Sequence, residues 1–140
     1  MSEESTTPEP AELTRRVVAS ASRADVDAVI NLCGQDAVWD VHPWGLGIHR
    51  GRASIRRFLE GWIGSFDEYR IVVDEVLELG NGVVLAVVTQ YAGSARSRNH
   101  LELRSASVIV WSDCLAQRVT HFRDIDEGCA AAERLAEGQK

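Results

Sequence analysis

Four consecutive runs of β-branched or alternating apolar residues fill the second half of the chain and restrict its fold more than any other feature. They read YRIVVDEVLEL, GVVLAVVTQYA, HLELRSASVIVW and AQRVTHFRDI. The first two are separated by GNG, in which Asn81 and Gly82 suit a tight type I′ hairpin turn. GSARSRN and SDC supply the next two turns. Because strands joined by consecutive hairpins pair with their neighbours, the pattern predicts an antiparallel sheet.

Three amphipathic helices are predicted before this sheet, with a short strand, AVWDV, between the second and the third. A fourth helix is predicted from about Asp126 to Glu137. Helices that come first, and a sheet with one face to cover, indicate an α+β fold. The three apolar stripes recur at helical spacing and comprise Leu13, Val17, Val18 and Ala21; Val26, Val29, Ile30 and Cys33; and Ile55, Phe58, Leu59, Trp62, Ile63 and Phe66.

The length and the charge of the chain limit how many domains it can form and which classes of partner it can bind. A chain of 140 residues suits one domain, which we place at residues 11–140 after an acidic, Ser/Thr- and Pro-rich disordered tail at residues 1–10. A net charge of −6 disfavours nucleic acid as a partner. Three widely spaced cysteines fit a reducing cytoplasm without a structural metal. The first residues resemble neither a signal peptide nor a membrane anchor.

The order of elements resembles the SnoaL-like branch of the nuclear transport factor 2-like superfamily over roughly residues 11–136. The resemblance rests on the VWD strand, on Gly51-Arg52 before the third helix, and on the THFRD close of the last strand. It implies a cone-shaped, curved antiparallel sheet packed on N-terminal helices (a cystatin-like α+β fold), a conical pocket and, often, a homodimer. Relatives include isomerases, polyketide cyclases, epoxide hydrolases and proteins without chemistry, so the fold alone does not select an activity.

Asp124 is the first candidate for catalysis. If the last strand extends through it, Phe122 and Asp124 share a face, and an apolar ring beside a carboxylate raises the carboxyl pKa toward neutrality. The resemblance adds that limonene epoxide hydrolases carry an aromatic-Arg-Asp sequence here with a catalytic aspartate. The alternative is a helix cap, for which Asp126 is the better candidate. His121, on the opposite strand face, would then contact a dimer partner rather than a substrate.

Other parts of the family's catalytic sets are missing. The second charged half of the epoxide hydrolase site would fall at positions 88–90, which read Val-Thr-Gln. The general base of ketosteroid isomerase would fall at or near Val41. Asp40 is a possible displaced base, but on a regular strand it points away from the face of Trp39 and Val41.

The loop DVHPWGLGIH places His42 and Trp44 at the expected pocket mouth. His42 is a candidate second proton carrier, and the alternative is a surface histidine beside a tryptophan that covers the core. Gln90, Ser105 and Ser107 are candidate hydrogen-bonding groups of the pocket, or else satisfied core positions. The full set of predicted wall residues is Trp39, Val41, Trp44, Phe58, Trp62, Val88, Gln90, Ser105, Ser107 and Phe122.

Three functions remain open from the sequence. The first is a small cofactor-free enzyme, an isomerase, cyclase or hydratase, acting on an apolar small molecule with Asp124 as acid/base and with His42 or Asp40 assisting. The second is a non-catalytic ligand-binding or dimeric accessory protein, favoured by the incomplete catalytic set. The third is an epoxide hydrolase with an altered triad, which would need a second carboxylate near Asp124. We also expect a homodimer formed through the outer sheet face.

Overall fold

A computed structural model describes residues 8–94 and 97–138 of the chain. Residues 1–7 of the expected tail, and the centre of the turn predicted at GSARSRN, lie outside the described residues. The elements are α1 (Pro10–Ser22), α2 (Val26–Asn31), β1 (Cys33–Asp40), β2 (Ile48–Arg50), α3 (Arg52–Gly64), β3 (Glu68–Gly80), β4 (Val83–Ser94), β5 (Ser97–Ser112), β6 (Leu115–Phe122) and α4 (Ile125–Glu137).

The strands form one curved six-stranded sheet in the order β2-β1-β6-β5-β4-β3. Strands β3 to β6 are the predicted antiparallel meander. The turn from β3 to β4 has positive φ at Asn81 (57°) and Gly82 (78°), as a type I′ turn requires. Strand β1 pairs in parallel with β6, so that Asp40 lies beside Thr120. The α+β fold predicted from the sequence is confirmed.

Each face of the sheet is covered by different helices, and the two faces carry separate apolar clusters. On the inner face, α1 and α3 bury side chains such as Leu13, Val17 and Ile55 against β1, β5 and β6. On the outer face, α4 packs on β4 and β5 through a cluster that includes Leu85 and Val108. None of the helices formed by the described residues has the length and apolarity needed to span a membrane.

Three local predictions are wrong. Cys33, assigned to the stripe of α2, begins β1, because the helix ends at Asn31 and the Cys33 carbonyl accepts hydrogen bonds from the Arg52 guanidinium at 2.7 and 3.0 Å. The loop after β1 contains the short strand β2, which pairs antiparallel with β1. The last strand ends at Phe122 and not beyond Asp124.

Candidate functional site

A largely apolar pocket lies between the inner face of the sheet, helices α1 and α3, and the loop after β1. Its cavity volume is about 90 Å³. A buried water needs about 10–15 Å³, so the cavity has room for a small organic molecule. Its walls are formed by Val17, Val18, Ala21, Trp39, Val41, Trp44, Leu46, Phe58, Leu59, Trp62, Tyr69, Ile71, Val88, Gln90, Ser107, Ile109, Val119 and His121.

One polar group of the pocket is a cluster around the Gln90 amide. Its Oε1 accepts from Trp62 Nε1 at 3.2 Å and from the Tyr69 hydroxyl at 2.8 Å. Burial raises the pKa of Tyr69 to about 12, and the smaller influence of Trp62 opposes that rise. The phenol is therefore neutral at pH 7 and donates its hydrogen to Gln90. Because Oε1 serves two donors, the protein already uses this acceptor.

The other polar group is the pair formed by His121 and Ser107. The Nδ1 atom of His121 and the Oγ atom of Ser107 lie 2.8 Å apart, at hydrogen-bonding distance. Burial lowers the pKa of His121 to about 4, and the weaker attraction of the Asp40 carboxylate works in the opposite direction. The imidazole is therefore neutral at pH 7, so one of its ring nitrogens holds a free electron pair.

Eight of the ten predicted wall residues line the pocket: Trp39, Val41, Trp44, Phe58, Trp62, Val88, Gln90 and Ser107. The other two do not. Ser105 is 2% exposed and pairs with Val88 on the inner face, outside the pocket lining. Phe122 lies on the outer face, where it packs against the cluster under α4.

Asp124 lies outside the pocket. It is the exposed N-cap of α4, and its Oδ1 accepts from the Glu127 backbone N–H at 3.2 Å. Because β6 ends at Phe122, the strand alternation that would have placed Asp124 and Phe122 on one pocket-facing surface does not apply. Asp126, predicted as the cap, lies in the first turn of the helix.

Asp40 and His42 also lie outside the pocket lining. The Asp40 carboxylate accepts from Arg118 Nη2 at 2.8 Å and from the His42 backbone N–H at 3.0 Å. It therefore points away from Trp39 and Val41, as strand alternation predicts. His42 is exposed and begins a 3₁₀ turn that runs to Trp44. None of the three candidate catalytic residues lines the cavity.

His121 and Tyr69 are the polar residues of the pocket for which the sequence predicted no pocket role. The error for His121 came from choosing Phe122 to mark the pocket face. The neighbouring Val119 is the signal that could have corrected it, because a valine two positions earlier shares the face of His121 and is 3% exposed.

Among the described residues, no group of three or more His, Cys, Asp or Glu side chains could hold a metal ion.

Comparison with known proteins agrees with this architecture. A family model described as a SnoaL-like domain matches residues 14–119. No curated protein matches the chain. Among solved structures, TerC co-crystallized with polyporic acid is similar at 20% identity, with a TM-score of 0.71 and coverage of 89% of this chain and 98% of TerC.

Two further solved structures, described with different activities, are also similar to this chain. A putative ketosteroid isomerase from Kribbella flavida DSM 17836 is 19% identical, with a TM-score of 0.68 and coverage of 81% of this chain and 76% of its own. An epoxide hydrolase from M. tuberculosis, described as LEH-like, is 13% identical, with a TM-score of 0.68 and coverage of 90% and 92%. At these identities the likeness establishes the fold alone.

Proposed function

The chain belongs to the SnoaL-like domain family, and from that premise we propose that it catalyses proton transfer on an uncharged, largely apolar small molecule, with His121 as the base. The reaction class is that of an isomerase or cyclase. A proton leaves one atom of the substrate and returns to another, so the step needs no cofactor. Two solved structures with the same fold are described as a putative ketosteroid isomerase and an epoxide hydrolase, and these descriptions support a reaction on a small molecule.

The hydrogen bond between Ser107 and His121 is the observation that carries the proposal. It joins the imidazole to a fixed partner on the adjacent strand, 2.8 Å away, in a wall that is largely apolar. The role requires the tautomer in which Nδ1–H donates to Ser107 Oγ, which leaves the electron pair on Nε2. Ser107 is then a positioning residue, and Nε2 is the atom that accepts the proton.

A second candidate, a non-catalytic ligand-binding protein, is favoured by a specific observation. Among the residues that line the pocket there is no carboxylate, and Asp124 is committed to capping α4. A pocket with one weak base has little with which to drive difficult chemistry. The same observation leaves an epoxide hydrolase with an altered triad without the second carboxylate that it would need.

Deuterium exchange at carbon separates the two candidates. The protein is incubated in heavy water with cyclic ketones such as 1-tetralone, and deuterium at the carbon beside the carbonyl is measured by mass spectrometry. A general base contributes about 10²–10⁴-fold to such a step, so His121→Gln should lower the enzymatic rate by about 100-fold or more. The matched control is His42→Gln, which changes an exposed histidine outside the pocket lining and should leave the rate unchanged.

The outcomes decide between the functions. Exchange that depends on His121 supports the enzyme. Ketone binding without exchange, or exchange that His121→Gln leaves intact, overturns the catalytic proposal. Binding alone would favour the ligand-binding protein.

A further inference from the structure

The four tryptophans of the chain differ in what their indole N–H groups bind. Trp111 Nε1 donates to Thr14 Oγ1 at 2.9 Å in the buried core, and Trp62 Nε1 donates to Gln90 Oε1. The Nε1 atoms of Trp39 and Trp44 are also buried, but no acceptor among the described residues lies within hydrogen-bonding distance of either. Two of the four indoles therefore carry unused donors.

An unused buried donor is costly and uncommon. Leaving one without a partner costs about 1–3 kcal/mol, and about nine in ten buried polar groups in proteins are satisfied. Both unused donors belong to residues that line the pocket, whereas Trp111, in the core beside Thr14, is satisfied. Both N–H groups are covered by protein atoms, so a bound molecule supplies their acceptors when the indole rings turn toward the cavity.

Most of the other polar atoms of the pocket bind one another, and His121 Nε2 is left as the proposed proton acceptor. Gln90 Oε1 accepts from both Trp62 and Tyr69, and Ser107 is bonded to His121. No Asp, Glu, Lys or Arg lines the cavity. Within the described part of the chain, the buried side-chain polar atoms without a partner are the two donors of Trp39 and Trp44, and donors favour a ligand that carries an acceptor atom.

We propose that Trp39 and Trp44 form a two-donor subsite that binds an uncharged ligand through an acceptor oxygen, such as a carbonyl. The inference rests on the proposed function, because it assigns a substrate class to the same pocket. The ring centroids of Trp39 and His121 are 5.4 Å apart. The Trp39 indole therefore lies next to the imidazole that we propose as the base.

For such a ligand the proposed step conserves atoms and electrons. His121 Nε2 accepts a proton from the carbon next to the carbonyl, and the electron pair of the broken C–H bond forms a C=C bond. The negative charge moves to the oxygen, which the indole N–H groups stabilise as hydrogen-bond donors. The imidazolium then returns its proton to carbon, and no oxidant or reductant is consumed.

The test compares a ketone with its hydrocarbon counterpart, 1-tetralone with tetralin. Affinities are measured for the wild-type protein and for Trp39→Phe and Trp44→Phe, which remove an N–H but keep an aromatic ring. One hydrogen bond contributes about 0.5–1.5 kcal/mol, so each variant should lose about 3- to 10-fold more affinity for 1-tetralone than for tetralin. Trp62→Phe is the matched control, because its N–H already has a partner in Gln90, and it should preserve the preference for the ketone.

Indole signals in ¹H–¹⁵N spectra of the wild-type protein give a readout that does not depend on how well the variants fold. Addition of 1-tetralone should move the Trp39 and Trp44 N–H signals downfield and leave that of Trp111 in place.

Three results would overturn the subsite: equal affinity for ketone and hydrocarbon, equal losses for both in the variants, or no binding of either probe at millimolar concentration. A ketone preference that depends on the indoles but comes without deuterium exchange would retain the subsite and refute the catalytic role of His121. Exchange without that preference would do the reverse.

Discussion

The two faces of strand β6 carry different kinds of polar residue, although they alternate along eight consecutive positions. On the inner face, His121 is bonded to Ser107 in apolar surroundings, and its charged form is disfavoured. On the outer face, Arg118 forms an ion pair with Asp40 that remains partly exposed to solvent. The comparison teaches that the face on which a strand residue lies decides whether its side chain is desolvated among apolar neighbours or forms an ion pair close to solvent.

The largest effect expected from this difference is a pH dependence of stability that belongs to the inner face. The pKa of His121 is lowered to about 4 in the folded protein, and an unfolded histidine has a pKa near 6.5. Between these values the unfolded state binds more protons, so the free energy of unfolding falls as pH falls. From pH 7 to pH 5 we expect a loss of about 2 kcal/mol from this residue.

Urea denaturation at the two pH values measures that loss. His121→Gln should remove the His121 contribution, and His42→Gln, in the exposed turn, should retain it. If both variants lose stability with pH as the wild-type protein does, the inner face does not hold His121 neutral, and the contrast between the two faces fails.

A smaller effect is expected at the contact of α4 with the outer face. A Cβ added at Gly128 would lie 2.8 Å from the Cβ of Ala106, closer than packed carbons allow. Overpacking costs about 1–3 kcal/mol, and the better helix propensity of alanine returns up to about 1 kcal/mol. Gly128→Ala should therefore destabilise the protein by about 1–2 kcal/mol in thermal unfolding, with the affinity of the inner pocket for 1-tetralone unchanged.

The matched substitution is Gly61→Ala in α3, where an added Cβ meets no atom within 4 Å. It should stabilise the protein by about 0.5–1 kcal/mol. A stabilising Gly128→Ala would mean that α4 can move away from the sheet at little cost, and that the outer face is less tightly packed than the inner one.

The smallest effect is expected at Asp124, just beyond the end of β6. Asp124→Ala removes the side-chain cap of α4 and should cost about 1 kcal/mol of stability, measured by denaturation. Asp126→Ala, in the first turn but not at the cap position, should cost only a few tenths of that amount. Neither substitution should change deuterium exchange in the pocket. A large loss of exchange in Asp124→Ala would return catalysis to the residue that the sequence favoured.

The sequence predicts the fold well because its signals are local. Asn81 and Gly82 dictate a tight turn, and the stripe containing Ile55 and Leu59 requires a helix with one buried face. The same signals do not reveal β2, since three residues are too few to show a period. They also do not reveal that β1 pairs in parallel with β6, because that contact joins distant parts of the chain.

The apolar lining of the pocket is easier to predict from the sequence than the placement of its polar groups, for a physical reason. Aromatic residues such as Trp39 and Phe58 are recognisable in the sequence by their size and apolarity, and eight of the ten residues predicted as pocket walls line the cavity. The role of a polar residue depends on its face and on where its strand ends. Taking Phe122 as the mark of the pocket face assigned His121 to the outside, and extending the strand beyond Asp124 assigned that acid to the pocket.

The parallel pairing of β1 with β6 also has a consequence for the order in which the protein assembles. The ion pair between Asp40 and Arg118 spans 78 positions of the chain, and contacts so distant in sequence are slow to form. Until β6 joins the sheet, Trp39 and Val41 have no neighbour from that strand, and the side of the cavity that holds His121 does not exist. The chain must therefore be synthesised beyond His121 before the cavity can be complete.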